Sequence, residues 1–203
     1  MPHISPAGAV NIEYSHFSIG ELWEPGFERR DVRPDFQTSE AVVVPGRIIV
    51  RSRVQEHTAR VVLALGGQHG QVPGAGWELL ASVAYQPVYT GRVAAFDTTN
   101  GQARSAGEAV RVFGQQVDPG EPTIELDPSR TYDVQVWAQG RSDSRERFDA
   151  AAPGADTEGF SGLETYLIVF TPSGTQEPLP PAVPESRRDR LARTHGKPPL
   201  NSR

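Results

Sequence analysis

The sequence predicts an all-β protein, an antiparallel β-sandwich with a disordered C-terminal tail. Apolar and polar residues alternate with a period of two along most of the chain, and the 3.6-residue period of helices is rare. Glycine and proline account for 20 and 18 of the 203 residues, and they separate about nine short apolar runs. Prolines are also frequent at the C-terminal end, where the apolar runs stop. Short strands with turns between them are typical of sandwiches and barrels.

The first predicted strand lies in "AVNIEYSHFSI". Alternation places Val10, Ile12 and Tyr14 on one face, and then Phe17 and Ile19 on the other. Such a change of phase is typical of a bulge, or of a strand that crosses to a second sheet. We therefore expect one of these two irregularities near residue 15.

Two further strands are predicted in "GRIIVRSRV" and "TARVVLAL". Each shows one apolar side opposite arginine, and the expected core-facing residues are Ile48, Val50, Val54, Ala59, Val61, Leu63 and Leu65. The linker "QEHT" between them has a length that suits a hairpin. We therefore expect the two strands to pair with each other.

The remaining strand candidates are separated by glycine-rich or polar loops. They are "WELLASVAY", "VYTGRVAAF", "AVRVF", "TIEL", "RTYDVQVWAQ" and "LETYLIVFT". A turn or two of helix is expected only within residues 142–151.

The stretch "TIELDPSRTYDVQVWAQG" carries a recognisable local pattern. It resembles a strand of fibronectin type III and other Ig-like sandwiches, in which a tyrosine after a turn bonds an upstream backbone group and locks a corner. The resemblance implies that Tyr132 has this structural role and that Tyr132, Val134, Val136 and Ala138 face the core. Trp137 would then lie on the opposite face. There it is either covered by the loop after Gly140 or exposed as an anchor for a partner.

Composition excludes several functions. Because there is no cysteine, disulfides, thiol catalysis and thiolate metal sites are excluded. The N-terminus lacks the pattern of a signal peptide, and no apolar run approaches the length of a membrane helix. We therefore expect a cytoplasmic protein that does not enter a membrane.

Charge is distributed unevenly. Residues 173–203 carry six basic and three acidic residues, a net charge of +3, whereas residues 1–172 carry 14 and 22, a net charge of −8. An acidic body disfavours direct binding of nucleic acid, because contacts between basic side chains and phosphates dominate that affinity. It suits a basic protein partner, although solubility alone would also explain the charge.

No motif indicates an enzyme. "GFSGL" lacks the final glycine of a nucleophile elbow, and neither a zinc-protease motif nor a phosphate-binding loop with its lysine occurs. His57 and His69 could meet an acidic residue in space, but solvated loop histidines are the expected outcome. We therefore expect no catalysis, no metal and no cofactor.

The candidates for partner binding combine aromatic and acidic residues in two segments. One is "ELWEPGFERRDVRPD", and the other lies within residues 137–149. The nine candidates are Trp23, Glu24, Phe27, Glu28, Asp31, Trp137, Asp143, Glu146 and Asp149.

Taken together, the strands between residues 9 and 171 resemble the competence protein J family of bacterial nuclease inhibitors. The resemblance lies in "VNIEYSHFSI", "GRIIVRSRVQEHTARVVLAL", "TIELDPSRTYDVQVWAQG" and "ETYLIVFT", with the step from Tyr14 to Phe17 as its most specific element. It implies inhibition of a DNA-degrading nuclease, but no inhibitory residue of the family maps onto this chain.

The expected organisation is a flexible N-terminus (1–8), a β-sandwich domain (9–172) and a disordered, proline-rich, basic tail (173–203). The leading hypothesis is a protein-binding sandwich that inhibits a basic protein, above all a nuclease, as an inhibitor or immunity protein. One alternative is a structural or assembly protein that uses its tail. Another is a module for carbohydrate or a small ligand, with Trp77, Trp23 or Tyr89 as stacking surfaces. The sequence leaves the oligomeric state open.

Overall fold

A computed structural model describes residues 2–22, 35–66, 72–99, 101–151 and 161–175. Within these ranges the chain forms strands and one short helix. In chain order they are β1 (His3–Ile4), β2 (Gly8–Ile12), β3 (His16–Glu21), β4 (Ala41–Val44), β5 (Arg47–Arg51), β6 (His57–Leu65), β7 (Trp77–Tyr85), β8 (Arg92–Phe96), β9 (Arg104–Ser105), β10 (Val110–Val112), β11 (Gln115–Val117), β12 (Thr123–Glu125), β13 (Arg130–Gln139), α1 (Ser144–Asp149) and β14 (Ser161–Thr175).

Two large sheets make up the described part of the chain. The first has the order β7-β13-β14-β6-β2-β9, with β1 also paired to β6, and the second has the order β12-β8-β3-β5-β4. The strand pairs are antiparallel except β6 with β14, which is parallel. Strands β10 and β11 form a separate hairpin. The predicted all-β, antiparallel sandwich class is confirmed.

The phase change near residue 15 marks a crossing between the sheets. Strand β2 belongs to the first sheet and β3 to the second, and the chain turns between them at Tyr14 and Ser15, which have φ angles of 57° and 61°. Because alternation stops at this turn, Tyr14 does not share the buried face of Val10 and Ile12. It is 72% exposed, so the prediction that Tyr14 shares a face with Val10 and Ile12 is wrong.

The predicted hairpin between β5 and β6 is also wrong. Strand β5 pairs with β3 and β4 in the second sheet, whereas β6 pairs with β1, β2 and β14 in the first. The connection through residues 52–56 therefore crosses from one sheet to the other. The physical reason is that β6 is an interior strand of the first sheet. Strand β14 pairs with one of its edges and β2 with the other, so no edge is left for β5.

The main core lies between the two sheets. It contains the predicted inward residues of β13, namely Tyr132, Val134, Val136 and Ala138, together with residues of β2, β3, β5 and β6. The predictions for Ile48, Val50, Ala59, Val61 and Leu63 are confirmed in the same core.

A second apolar cluster covers the other face of the first sheet. Trp137, Val62 and Leu167 lie in it, together with Val110 and Val112 of β10. The short β10–β11 hairpin therefore helps to form a third layer. This layer explains why β6 and β14 contain continuous apolar runs rather than strict alternation.

The tyrosine contact predicted at the start of β13 is confirmed. The backbone N–H of Asp127 donates to the Tyr132 hydroxyl oxygen over 2.7 Å, five residues upstream. Burial raises the pKa of the Tyr132 hydroxyl, so it stays protonated near neutral pH. The wider Ig-like or fibronectin type III pattern is not confirmed.

Strands are present near both ends of the expected domain. In the segment expected to be flexible, β1 pairs with the end of β6, and the Ser5 hydroxyl accepts a hydrogen bond from Leu63 N over 3.0 Å. At the other end, β14 continues to Thr175, past the expected start of the tail at residue 173. The remaining tail residues, 176–203, lie outside the described residues.

Candidate functional site

The structure tests the placement of only some of the partner-binding candidates. Trp23, Glu24, Phe27, Glu28 and Asp31 lie outside the described residues. Trp137 is 7% exposed and lies in the second apolar cluster. Trp137 is therefore covered rather than exposed. The residues that pack in the same cluster include Val110 and Val112 of β10.

The other three candidates lie on or beside α1, the helix predicted within residues 142–151. Asp143, Glu146 and Asp149 are all exposed. Two of these carboxylates form ion pairs along the helix: Asp143 with Arg147 at 3.2 Å, and Asp149 with Arg145 at 2.9 Å. Their charge is therefore partly compensated, and Glu146 has no ion pair to another described residue.

Helix α1 is attached to the sandwich by a buried carboxylate, Glu164 of β14, which is 0% exposed. Its Oε1 accepts a hydrogen bond from the Ser144 hydroxyl of α1 over 2.6 Å, and another from Arg53 N over 3.2 Å. Its Oε2 accepts from the Ser52 hydroxyl over 2.8 Å and from the Tyr166 hydroxyl. All four of these partners are groups that can donate a hydrogen bond. Glu164 thus joins β14, α1 and the β5–β6 connection.

His57 completes this buried group. Its Nε2 lies 2.9 Å from the Ser52 hydroxyl oxygen and 3.8 Å from Glu164 Oε2, and its Nδ1 has no partner among the described residues. The Ser52 hydroxyl also lies 2.9 Å from Val54 O, so its one proton has three acceptors within reach. The tautomer of the His57 ring decides which of the two side chains donates in their contact.

Serine, histidine and glutamate meet here, but not as a catalytic triad. In a triad the histidine accepts the serine proton and the acid bonds the other ring nitrogen. Here Glu164 lies beside the Ser52 hydroxyl, His57 Nδ1 has no hydrogen-bond partner among the described residues, and Ser52, His57 and Glu164 are all buried. The group therefore serves to hold the surrounding segments together. The expectation that His57 is a solvated loop histidine is wrong, because it begins β6 and lies in the interior.

The buried environment of His57 predicts a pH dependence of stability. Burial lowers its pKa below 6.5, and the nearby Glu164 carboxylate only partly opposes this. Below pH 6.5 the unfolded chain therefore binds more protons than the folded one. Stability from this group is complete above that pH and falls as the pH decreases, by at most about 1.4 kcal/mol per pH unit.

Urea unfolding of three proteins between pH 5 and 7 tests this expectation. The variant His57→Gln should lose less stability on acidification than the native chain, because the titrating ring is gone. The exposed His3 provides a matched control, so His3→Gln should keep the native pH dependence. Equal slopes for the native chain and His57→Gln would contradict the assignment.

A second buried carboxylate, Glu21, ends β3 and is also 0% exposed. It accepts hydrogen bonds from three backbone amides of the β7–β8 connection: Val88 N over 2.6 Å, Tyr89 N over 3.0 Å and Gly91 N over 2.7 Å. Gly91 has a φ of 73°, in the left-handed region that favours glycine. Glu21 thus holds the β7–β8 connection in place. In the sequence, Glu21 comes two residues before Trp23.

Sequence reasoning did not identify either carboxylate centre. The one available signal was an acidic residue inside or at the end of an apolar strand, in "LETYLIVF" and "FSIGE".

The small-ligand alternative loses a proposed stacking surface, because Trp77 is buried in the second apolar cluster. Among the described residues there is no group of three His, Asp or Glu side chains that could hold a metal ion. In the same ranges, no helix is long and apolar enough to cross a membrane.

Comparison with known proteins gives a likeness in fold. No protein-family model and no curated protein matches the sequence. The fold is similar to that in the crystal structure of ComJ from Bacillus subtilis, a protein described as an inhibitor of the DNA-degrading activity of NucA. The TM-score is 0.50 and the identity 10%, over 85% of this chain and 99% of that one. A protein described as Crocagin biosynthetic gene J aligns over the same shares, with a TM-score of 0.39 and 12% identity.

At 10% identity, the likeness to ComJ concerns the fold alone. It supports only a weak structural relation to ComJ.

Proposed function

We propose that this chain is a non-catalytic protein that binds and inhibits another protein, and that its target is a basic, DNA-degrading nuclease. The observation that carries the proposal is the similarity in fold to ComJ, described as an inhibitor of a DNA-degrading nuclease, over 99% of the length of that chain. The buried arrangement of Ser52, His57 and Glu164 supports a non-catalytic role, because these three polar groups hold segments together and are inaccessible to a substrate.

The charge of the chain supports the type of target. Residues 1–172 carry a net charge of −8, which attracts a basic protein and repels nucleic acid. Carboxylates that occupy the positions of DNA phosphates would block the active site of a nuclease. Opposite charge chiefly accelerates the encounter and selects the partner, so the complex should weaken as salt increases.

A binding and inhibition experiment tests the proposal. The full-length chain is used as bait in extract of its native cell, at about 0.05 M and then about 0.5 M salt. Recovered proteins are assayed for degradation of plasmid DNA with and without added bait. We expect one basic nuclease, inhibited in proportion to the bait, with binding roughly tenfold weaker at the higher salt concentration.

Other results would point elsewhere. Recovery of a nuclease that the bait does not inhibit would contradict the proposal, and so would an affinity that is independent of salt. Recovery of copies of the bait itself would favour the structural alternative. In that case, deletion of residues 176–203 should abolish the self-association, because the alternative assigns assembly to the tail.

A further inference from the structure

The turn between β2 and β3 presents an aromatic side chain in an unusual way. Tyr14 and Ser15 both have φ near 60°, the conformation of a two-residue turn that favours Asn-Gly. A tyrosine in this region is sterically strained. Its side chain is 72% exposed, so burial of the ring contributes little to folding. Neither the backbone conformation nor the packing of the fold explains a tyrosine at this position.

The turn is held in place from both sides. On one side, Ser15 N donates to Gln55 O over 3.2 Å, and Ser52 N donates to Ser15 O over 2.9 Å. On the other side, the Thr98 hydroxyl oxygen accepts from Glu13 N over 2.8 Å and lies 2.7 Å from Glu13 O. These contacts fix the strained conformation, so the Tyr14 ring is presented on a rigid support.

The same contacts link the turn to α1. Residues 52–56 form the β5–β6 connection, and the Arg53 guanidinium donates to Ser142 O over 3.4 Å, just before α1. Glu164 binds both Ser52 of this connection and Ser144 of α1. Hydrogen bonds therefore join the turn, the connection and the helix, and we call their exposed residues together the Tyr14 surface.

Among the charges of this surface that have no ion pair, negative ones predominate. Asp143 and Asp149 are paired with arginines of α1. Glu56 and Glu146 are exposed and have no ion pair to another described residue, and one exposed cation, Arg53, lies beside them and donates to Ser142 O. A rigid, exposed tyrosine beside unpaired carboxylates suits a protein surface that offers a pocket for the ring and basic side chains around it. Tyrosine is enriched among the residues that dominate interface energy, and its ring also attracts cations.

We propose that the Tyr14 surface is where this chain binds its basic protein partner, with Tyr14 as the central anchor. This inference rests on the proposed function and assigns the binding surface to it. The candidates Glu146, Asp143 and Asp149 then lie at the rim, while Tyr14 lies at the centre.

Site-specific crosslinking in the native cell tests the inference. A photoreactive benzoylphenylalanine replaces Tyr14 in the full-length chain, and replaces Leu79 in a control. Leu79 is 47% exposed on the edge strand β7. Three strands, β13, β14 and β6, separate β7 from β2, so the axes of β7 and β2 are about 19 Å apart. We expect one basic protein to be crosslinked from position 14, with less product at raised salt, and none from position 79.

Competition with unlabelled full-length chain shows whether the tyrosine ring matters. Tyr14→Asn should compete about 30-fold less well than the native chain, the loss expected for an interface hot spot. Its melting temperature should not decrease, because asparagine tolerates a positive φ better than tyrosine does. Leu79→Ser should compete like the native chain.

Each outcome separates the surface from the proposed function. Crosslinking of a nuclease supports both, whereas crosslinking of a different basic protein supports the surface and contradicts the nuclease as target. The inference is overturned by equal crosslinking from positions 14 and 79, by no crosslinking from position 14, by crosslinking only to a second copy of the chain, or by full competition from Tyr14→Asn.

Discussion

Replacement of Glu164 by glutamine is expected to lower the free energy of unfolding by about 2 to 3 kcal/mol. The carboxylate accepts hydrogen bonds from the Ser52, Ser144 and Tyr166 hydroxyls and from Arg53 N. Glutamine keeps one oxygen and places an NH₂ group at the position of the other. A hydroxyl that faces this NH₂ group must turn to accept from it, and Tyr166 then has to donate to Arg51 O, 3.3 Å away. Hydrogen bonds to a charged acceptor are thus replaced by weaker, neutral ones.

The Tyr166 hydroxyl shows why the loss cannot be avoided easily. Burial, and then the neighbouring carboxylate, raise its pKa well above the usual range, so the hydroxyl remains a donor. Its other neighbour, Arg51 O, is 3.3 Å away, which offers a weaker bond than the one lost. Glu164→Ala should be more harmful still, since it removes the shared acceptor of all four donors and creates a cavity. The three hydroxyls then keep only Val54 O, Arg141 O and Arg51 O as acceptors.

Urea unfolding of Glu164→Gln beside a matched variant checks the prediction. Glu108 carries a carboxylate that is 75% exposed and paired with Arg60, so Glu108→Gln should change stability by no more than about 0.5 kcal/mol. Faster hydrogen exchange in α1 is also expected in Glu164→Gln, because Ser144 connects the helix to Glu164. If the two variants were equally stable, the buried group would not have the role assigned to it.

The features of the fold that could be predicted from the sequence depend on residues close to one another along the chain. Alternation along β13 places Tyr132, Val134 and Val136 in the core because a strand points successive side chains to opposite faces. The hydroxyl contact of Tyr132 spans five residues, so a short pattern could reveal it. The fold class followed from the same periodicity, repeated along the chain.

The parts that sequence missed depend on contacts between distant segments. The five-residue connection between β5 and β6 suits a hairpin and a crossing between sheets equally well, and only the pairing of the other strands decides. Ser52 and Glu164 lie 112 residues apart, so no spacing rule brings them together. One signal was readable: the Asp143–Arg147 and Arg145–Asp149 spacings are those of helix ion pairs. They reduce the acidic character that made α1 a candidate.

Replacement of Glu21 by glutamine is the second change with a large expected effect, about 2 to 3 kcal/mol of lost stability. Its two oxygens accept hydrogen bonds from the backbone amides of Val88, Tyr89 and Gly91. The amide group of glutamine would face at least one of these N–H groups as a second donor. The loop cannot move away to regain a partner, because Gly91 O also accepts a hydrogen bond from Leu126 N over 2.8 Å.

The residues at which hydrogen exchange accelerates distinguish a local effect of Glu21→Gln from a general loss of stability. Hydrogen exchange should accelerate first at the amides of residues 88, 89 and 91, whereas those of α1 should change only with the global free energy of unfolding. Glu125→Gln is the matched control, because this carboxylate is 72% exposed and pairs with Arg92 at 3.4 Å. Unchanged exchange at residues 88–91 in Glu21→Gln would show that the carboxylate does not hold the loop. Selective acceleration would establish Glu21 and Glu164 as two independent anchors, one for the β7–β8 connection and one for α1.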